Sequence, residues 1–312
     1  MRKNEKRMEI ELFDGHTHIG SDYYSKIKGF SNRTVGVEEL LRTMDNYYVS
    51  KSIVIPMVTT PSIVCPNSKF CNNYNNPPVL IRQTDKSYFL RCPVCGRIWE
   101  VKRNPYEKKN YLLFKAVKDH KEKLIPFPVI DPRYPKSSDY LKELLTKYEI
   151  IGIKIHLVAT FYNPERLINS DLMDVIKENN LCILFDPFQF KFSREILKLA
   201  SYYPSVKFII AHCAGLDEKI LMGIRNSTNV YVDTSAIVQY YDKSSYRGIS
   251  REVDSAQTAY NILLENAGAN KIIFGTDFPI LNYQKQIEDF RSLNFEKSIL
   301  EKIGFKNLER LL

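Results

Sequence analysis

Eight short apolar segments, separated by segments of helical periodicity, limit the possible folds of this 312-residue chain more than any other feature. The predicted strands cover residues 9–14, 52–57, 124–132, 150–156, 181–187, 206–212, 229–235 and 271–279. The predicted helices between them include residues 37–48, 138–148, 170–179, 193–203 and 255–268. Strands that alternate with helices indicate parallel strands joined by crossover helices, which is the pattern of α/β proteins.

Eight such strands are the number that closes a (β/α)8, or TIM, barrel. Without the roughly 50 residues of the insertion described below, about 260 residues remain, close to the usual size of that fold. The competing fold is a doubly wound open sheet, which normally has a glycine-rich phosphate loop after its first strand. The segment "DGHTHIGSD", which follows the first strand here, is not such a loop. We therefore predict a TIM barrel.

Residues 59–110 interrupt the alternation and are rich in Asn, Pro and Cys. We predict that they form an insertion after the second strand. Residues 1–58 and 111–312 would then make up one catalytic barrel domain, and 59–110 a small inserted segment.

Four of the six cysteines lie in this insertion, at Cys65, Cys71, Cys92 and Cys95. The stretch "RCPVCGRIW" has the C-x2-C spacing of a zinc knuckle, and the pair Cys65-x5-Cys71 would supply two further ligands. Clustered cysteines in a reducing compartment bind metal more often than they form disulfides. We predict a zinc ribbon with a structural site of four cysteine ligands; the alternative is four unrelated reduced thiols.

Polar residues stand at the carboxyl ends of the predicted strands, where a TIM barrel builds its active site. They are Asp14, His16, His18, Lys154, His156, Asp186, His212 and Asp277, and they include four of the five histidines. Each alone could be an ordinary buried polar residue with a hydrogen-bond partner. Together, imidazole and carboxylate groups suit Zn²⁺, Mn²⁺ or Fe²⁺, and three or four ligands with an open position are typical of a catalytic site.

The segments "FDGHTHIG", "IGIKIH", "FIIAHCAG", "VYVDTSA" and "IIFGTDFP" resemble the amidohydrolase superfamily. They are most similar to its amidohydrolase-2 branch, which includes metal-dependent hydrolases and nonoxidative decarboxylases of the aminocarboxymuconate-semialdehyde type. The resemblance extends from about residue 9 to the C-terminus, without 59–110. It implies that His16, His18 and Asp277 bind one divalent metal, that Asp277 accepts a proton from the attacking water, and that His212 polarises the substrate carbonyl or positions that water.

The chain departs from the branch at the end of the fifth strand, where Asp186 replaces a ligating histidine. Asp186 is either an oxygen ligand, which we favour, or not a ligand, in which case His156 assists the other three. Lys154 stands where TatD-type nucleases, a related group of barrels, have a glutamate, and this argues against a nuclease. Lys154 either pairs with a substrate carboxylate or forms a buried ion pair with Asp186.

The formal charge of +9 is concentrated in the insertion. Residues 65–110 contain nine Lys or Arg against three acidic residues, so the rest of the chain is nearly neutral. We therefore do not expect the protein to bind nucleic acid over its whole surface. Because a loop after the second strand emerges on the catalytic face, we expect a basic or aromatic side chain of the insertion to line the pocket and attract an anionic substrate. Arg247, in the loop after the seventh strand, is a further candidate for anion binding.

The sequence predicts a metal-dependent hydrolase in which the metal activates water for attack on a small, anionic substrate. Nonoxidative decarboxylation of a small carboxylic acid is the alternative on the same site, and a non-catalytic barrel that docks a macromolecule through the ribbon is an alternative of another class. The expected cofactors are one catalytic divalent ion, with Zn²⁺ preferred over Mn²⁺ or Fe²⁺, and one structural zinc.

The remaining expectations concern location and assembly. The chain has no run of 18 apolar residues and its N-terminus does not read as a signal peptide, so we expect a cytoplasmic protein with no membrane partner. Assembly as a homodimer is left open by the sequence.

Overall fold

The computed structural model describes residues 10–21, 34–57, 65–66, 71, 78–187, 192–242 and 252–312. The strands in chain order are β1 (Leu12–Ser21), β2 (Thr34–Val35), β3 (Val49–Pro56), β4 (Val79–Gln83), β5 (Tyr88–Arg91), β6 (Ile98–Val101), β7 (Leu124–Pro126), β8 (Gly152–His156), β9 (Cys182–Asp186), β10 (Phe208–Ile210), β11 (Val230–Asp233) and β12 (Ile272–Ile273).

The helices complete the alternation. They are α1 (Val37–Asn46), α2 (Glu107–Val117), α3 (Ser137–Lys147), α4 (Leu157–Thr160), α5 (Asp171–Glu178), α6 (Ser193–Tyr202), α7 (Glu218–Asn226), α8 (Ala256–Ala267), α9 (Tyr283–Ser292), α10 (Lys297–Glu301) and α11 (Asn307–Leu311). Ser170 and Ser255 begin α5 and α8 as N-caps, because their hydroxyls accept the amide hydrogens of Met173 and Thr258.

Eight parallel strands close into a barrel. Strands β1, β3 and β7 are neighbours in one sheet, and β8 to β12 are neighbours in sequence order in another. Parallel bridges join the two sheets at both edges, between Val129 and Lys154 and between Thr17 and Phe278. The predicted TIM barrel is therefore confirmed, with β7 and β12 shorter than predicted.

The two faces of the strands form two separate apolar clusters, as the alternation of side chains along a strand requires. One cluster takes alternate residues from the strands around the barrel and fills its interior; it includes Phe13, Ile53, Phe127, Leu184, Ile209, Tyr231 and Ile273. The other packs between the strands and the helices and includes Leu12, Val54, Ile153, Phe185, Phe208 and Val232. Polar side chains that continue the inner rows, such as Asp186 after Leu184, therefore enter the barrel mouth.

Gly152 shows how tightly the interior is packed. A β-carbon at this position would lie 2.1 Å from Cζ of Phe127, so the ring of Phe127 occupies the space that any other side chain at Gly152 would need. The first residue of β8 must therefore be a glycine for Phe127 to fill the base of the barrel.

Strands β4, β5 and β6 form a small antiparallel sheet between β3 and α2, and we call residues 65–66, 71 and 78–101 the ribbon. Its own apolar cluster consists of Cys65, Cys71 and Cys92 with the half-buried Trp99. A segment this small lacks a sufficient core of its own.

Among the described residues, no helix combines the length and the apolar character needed to cross a membrane.

Candidate active site

His16, His18 and Asp277 come together at the barrel mouth, and all three side chains are buried. Oδ1 of Asp277 lies 3.1 Å from Nε2 of His18 and 3.8 Å from Nε2 of His16, and one ligand atom from each residue lies within 4.8 Å of the others. Nitrogen and oxygen ligands bound about 2.0–2.2 Å from one metal lie roughly 3–3.5 Å apart. The three side chains therefore fit a divalent ion. Nδ1 of His18 is buried without a hydrogen-bond partner among the described residues.

An irregular register in β1 turns both histidines inward. Phe13 belongs to the inner row, so strict alternation would place His16 and His18 on the outer face. The pairing of β1 with β3 shifts between Asp14 and Thr17, which reverses the alternation and directs both rings into the barrel. Bulges of this kind often re-aim side chains beside active sites.

Asp233, a residue that the sequence did not mark as functional, orients His16. Nδ1 of His16 lies 2.9 Å from Oδ2 of Asp233, which is fully buried at the end of β11. The other oxygen of Asp233 accepts the backbone amides of His212 and Ser235, at 2.9 and 3.0 Å. The carboxylate therefore keeps the proton of His16 on Nδ1 and leaves Nε2 as the lone-pair donor, as in many carboxylate–histidine–metal arrangements. The sequence signal that could have identified Asp233 was its position in "VYVDTSA", one of the segments that resemble the amidohydrolase superfamily.

Lys154 lies close to Nε2 of His16, the atom of that ring that would bind a metal. Its Nζ lies 3.2 Å from Nε2 of His16, and the side chain is fully buried. Burial lowers the pKa of the Lys154 ammonium, while the carboxylates of Asp186, Asp233 and Asp277 act in the opposite direction. An ion bound at Nε2 of His16 would take the lone pair that faces the Lys154 amine, so the metal and Lys154 compete for it.

Asp186 lies between two other histidines. Its Oδ2 is 3.4 Å from Nε2 of His156 and 3.5 Å from Nε2 of His212. Burial favours the neutral acid, but His156, His212 and Lys154 outweigh it and hold the pKa of Asp186 well below its usual range. In the described part of the chain, two groups of potential ligands share His16, one with His18 and Asp277 and the other with His212 and Asp233, and Asp186 belongs to neither. Asp186 instead lies against the imidazole rings of His156 and His212.

His156 is a neutral imidazole with a defined tautomer. Its Nδ1 accepts the backbone amide of Ala159 at 3.3 Å, so the proton resides on Nε2, which faces Asp186. Burial is the main reason that the pKa of His156 falls to about 3, against the opposing effect of Asp186.

His212 reaches the site through a rare backbone conformation. Alternation along β10 would put it on the outer row with Phe208 and Ile210, but residues 212–216 have φ values of 59°, 58°, 48°, 76° and 52°, all left-handed. This turn brings the ring of His212 into a stack on His16, with centroids 5.2 Å apart. Burial disfavours the charged ring, but the carboxylates, chiefly Asp186, outweigh it and raise the pKa of His212 to about 9.

Asp14 and Asp277 fasten the first strand to the last. Asp14 accepts hydrogen bonds from the backbone amide and the hydroxyl of Thr276, at 3.1 and 2.6 Å. The backbone amide of Asp277 donates to the carbonyl of His16 at 2.8 Å, and Asp277 itself is left-handed with φ 60°. Burial raises the pKa of Asp14 to about 7. Asp14 is thus a structural residue, whereas the carboxylate of Asp277 faces the histidines.

The four ribbon cysteines lie close enough to share one ion. Their sulfurs are all within 4.8 Å of one another, with 3.5 Å between Cys65 and Cys95 and between Cys71 and Cys92. Sulfurs on a tetrahedral zinc with bonds of about 2.3 Å lie about 3.8 Å apart. The cysteines therefore fit a zinc ion. Arg247, the other predicted ligand-binding residue, falls outside the described residues.

The segment predicted as an insertion touches the barrel mouth. Nζ of Lys109 donates to the carbonyls of Ser21, at 3.2 Å, and of Met57, at the ends of β1 and β3. A cavity of about 510 Å3 beside these strand ends is lined in part by Lys108, Lys109 and Leu112.

The chain is similar in sequence to a known family of proteins. A sequence model of a family described as amidohydrolase matches residues 91–312, which is more than two thirds of the chain. A sequence search of curated proteins finds no match.

Solved structures share the fold at low sequence identity. 5-Carboxyvanillate decarboxylase from Sphingomonas paucimobilis superposes with a TM-score of 0.66 at 10% identity, over 97% of this chain and 99% of that one. A probable 2-pyrone-4,6-dicarboxylic acid hydrolase from Acinetobacter baumannii gives 0.62 at 16%, over 96% and 98%. A dihydroxybenzoic acid decarboxylase from Polaromonas sp. JS666, with bound manganese and 2-nitroresorcinol, gives 0.66 at 12%, over 96% of both chains.

These similarities confirm the fold, and the match over residues 91–312 confirms the resemblance stated from the sequence motifs. The chain belongs to the amidohydrolase family and is an enzyme of that family, built on a TIM barrel.

Proposed function

We propose that the chain is a metal-dependent hydrolase of a small, anionic substrate. The observation that carries the proposal is the convergence of Nε2 of His16, Nε2 of His18 and Oδ1 of Asp277 at the mouth of the barrel. Two imidazoles and one carboxylate are three protein ligands, which is typical of a catalytic site, whereas structural sites usually have four.

These three residues would hold the ion, with Asp186 as a further ligand only if its carboxylate turns from His156 and His212. A divalent ion held there supplies a Lewis acid and lowers the pKa of water toward neutrality. We prefer Zn²⁺, and Mn²⁺ is supported by its presence in the Polaromonas decarboxylase of the same fold.

The chain's own residues handle the proton and the substrate charge. Burial favours the neutral acid, but His18, His212 and His16 outweigh it and lower the pKa of Asp277, so its carboxylate is ionised. An ionised carboxylate beside the ion would take the proton of the attacking water. The His212 ring, charged at neutral pH, can donate a hydrogen bond to a carbonyl oxygen. Lys154, alongside His16, can pair with a substrate carboxylate.

Nonoxidative decarboxylation is the second candidate. Its support comes from the buried amino group of Lys154, a hydrogen-bond donor that suits a carboxylate, and from the shared fold of the Sphingomonas and Polaromonas decarboxylases. The third function predicted from the sequence, a non-catalytic barrel that docks a macromolecule, disagrees with the enzyme family to which the chain belongs. A merely structural barrel also has no need of buried charges that converge in its mouth.

The remaining assignments stay predictions. A structural zinc in the ribbon is supported by the four converging sulfurs. The cytoplasmic location, a homodimer and the boundaries of the inserted domain at residues 59 and 110 rest on the sequence alone.

A parallel screen would test the function. Purified protein, loaded separately with Zn²⁺ and Mn²⁺, would be offered aromatic and heterocyclic carboxylates, their lactones and their amides. Release of CO2, of titratable acid from the lactones and of ammonia from the amides would be recorded in the same wells, with Asp277→Asn as the control. Acid or ammonia release without CO2 that is lost in the control supports hydrolysis, and CO2 release supports the second candidate. Activity unaffected by Asp277→Asn would rule out this site for both.

A further inference from the structure

A fully buried side chain of the ribbon reaches the barrel. Tyr88 on β5 has no exposed surface, and its hydroxyl donates to Oδ2 of Asp131 at 2.8 Å. The guanidinium carbon of Arg133 lies 5.5 Å from the centre of the Tyr88 ring. A tyrosine with both a cation contact and a hydrogen bond in the interior links two parts of the chain more specifically than apolar contact does.

Asp131 and Arg133 form a buried, bidentate ion pair in the segment between β7 and α3. Nε of Arg133 lies 3.0 Å from Oδ1 of Asp131 and Nη2 lies 2.9 Å from Oδ2, and both side chains are at most 1% exposed. Such a pair is tolerated in the interior only when its geometry is good and its remaining polar atoms are bonded. The hydroxyl of Tyr88 adds a further hydrogen bond to Oδ2 of Asp131, the oxygen that also accepts Nη2 of Arg133.

The remaining guanidinium nitrogen of Arg133, Nη1, reaches the segment that follows His156. Nη1 donates to the carbonyl of Thr160, the last residue of α4, at 3.2 Å. The hydroxyl of Thr160 donates in turn to the carbonyl of His156 at 3.1 Å, and the amide of Ala159 donates to Nδ1 of the His156 ring. The single turn of α4 and the orientation of His156 are thus one unit.

We propose that Tyr88, Asp131 and Arg133 are positioning residues through which the ribbon fixes the ring of His156 against Asp186. The proposal rests on the proposed function only in that it treats His156 as part of the reacting site. Because the ribbon is too small for a core of its own, zinc at its cysteines would order β5 and hold Tyr88 in the barrel. The ribbon then acts on the reaction through the side chain of Tyr88.

Histidine NMR tests the geometry without any substrate. The chain has five histidines, so the ring signals of ¹⁵N-labelled full-length protein can be assigned with a His156→Gln variant. Tyr88→Phe removes one hydroxyl and should shift both ring nitrogens of His156. Tyr111→Phe, which alters a tyrosine that is 57% exposed on α2, should leave all five rings unchanged. An unshifted His156 in folded Tyr88→Phe, or an equal shift in the control, would overturn the proposal.

A second arm asks whether the ribbon acts through Tyr88. Cys92→Ser with Cys95→Ser should shift the His156 signals in the same direction, and adding Tyr88→Phe should give no further shift. Full additivity would show that the ribbon acts by another route and would overturn that part. If the cysteine variant does not fold, the Tyr88→Phe result alone decides. With a substrate in hand, kcat/KM of Tyr88→Phe should fall about two- to tenfold, as for one lost hydrogen bond. Failure of every substrate would count against the proposed function and leave the NMR result standing.

Discussion

Nε2 of His18 lies 3.1 Å from Oδ1 of Asp277, although 259 positions separate the two residues in the chain. The contact exists because β1 and the segment after β12 are neighbours where the barrel closes, and the bridge between Thr17 and Phe278 fixes their register. The candidate metal centre is therefore assembled by the closure of the fold. Any loss of that closure would separate the ligands.

Asp277→Asn should retain the fold and lose most of the turnover. An amide cannot accept the proton of the attacking water, and as a metal ligand it is weaker than a carboxylate. We expect kcat to fall by about 10²–10⁴, the range that general-base catalysis contributes. The measurement is steady-state kinetics with circular dichroism as the check of folding. Turnover close to that of the unaltered protein would assign the base to another residue.

Asp233→Asn should weaken metal binding although Asp233 is not in the group formed by His16, His18 and Asp277. The amide no longer fixes the proton on Nδ1 of His16, and loss of such outer-shell partners typically lowers affinity by about 10–100-fold. Titration against a chelator of known affinity would measure it. Asp289→Asn, which alters a carboxylate that accepts the Tyr241 hydroxyl, serves as the matched control and should bind metal normally.

Lys154→Met should bind the divalent ion more tightly than the unaltered protein. The amino group of Lys154 lies 3.2 Å from Nε2 of His16 and competes with the metal for its lone pair. Removing this buried hydrogen bond should raise the affinity for the metal by about tenfold. The same titration checks it, with Lys147→Met at a surface ion pair as the control. An unchanged or lower affinity would show that Lys154 supports the ion.

Cys71→Ser should remove one zinc ion per chain, if the sulfurs of the ribbon share it as their spacing indicates. The barrel metal should remain, because its ligands lie in β1 and after β12 and not in the ribbon. Elemental analysis after dialysis gives the count. Cys182→Ser changes a buried cysteine in β9 instead and should keep the zinc, so zinc loss in both variants would contradict the assignment.

Tyr48→Gly should stabilise the protein. Tyr48 follows the end of α1 with φ 54°, and its side chain is 62% exposed, so it has left-handed strain and little packing to lose. Relief of that conformation should raise the free energy of unfolding by about 1 kcal/mol. Urea denaturation would measure the change. Tyr48→Ala removes the same ring but keeps the β-carbon, and an equal gain there would refute the explanation.

The sequence predicted the order and approximate positions of the barrel strands, because apolar periodicity reports directly which residues are buried. It predicted the ends of β7 and β12 poorly. Pro126, Pro128 and Pro132 lack backbone donors, so residues 127–132 extend the barrel without regular pairing. After Ile273, the backbone amides of Phe274 and Gly275 donate to the carbonyl of Ile303 and the hydroxyl of Thr234, so β12 stops before the predicted end.

The site was predicted less completely than the fold, because several contacts depend on three-dimensional register. The pairing of Asp233 with His16 spans 217 positions and depends on the shift in β1 that turns His16 into the barrel, where Asp233 at the end of β11 also points. The inward turn of His16 and His18 depends on a bulge, and that of His212 on a left-handed turn. The sequence favoured Asp186 as a further metal ligand, and in the structure its carboxylate lies 3.4 Å from His156 and 3.5 Å from His212.

The turn at residues 212–216 has the handedness that D-amino acids prefer. Four of its five residues are L-amino acids with a β-carbon, and each pays a steric penalty of roughly 1–2 kcal/mol there. A chemically synthesised chain with D-alanine at position 214 would keep the methyl group and adopt the same turn without that penalty. The part of the barrel that brings His212 to the metal centre is thus one that a mirror-image building block would fit better than the genetic code allows.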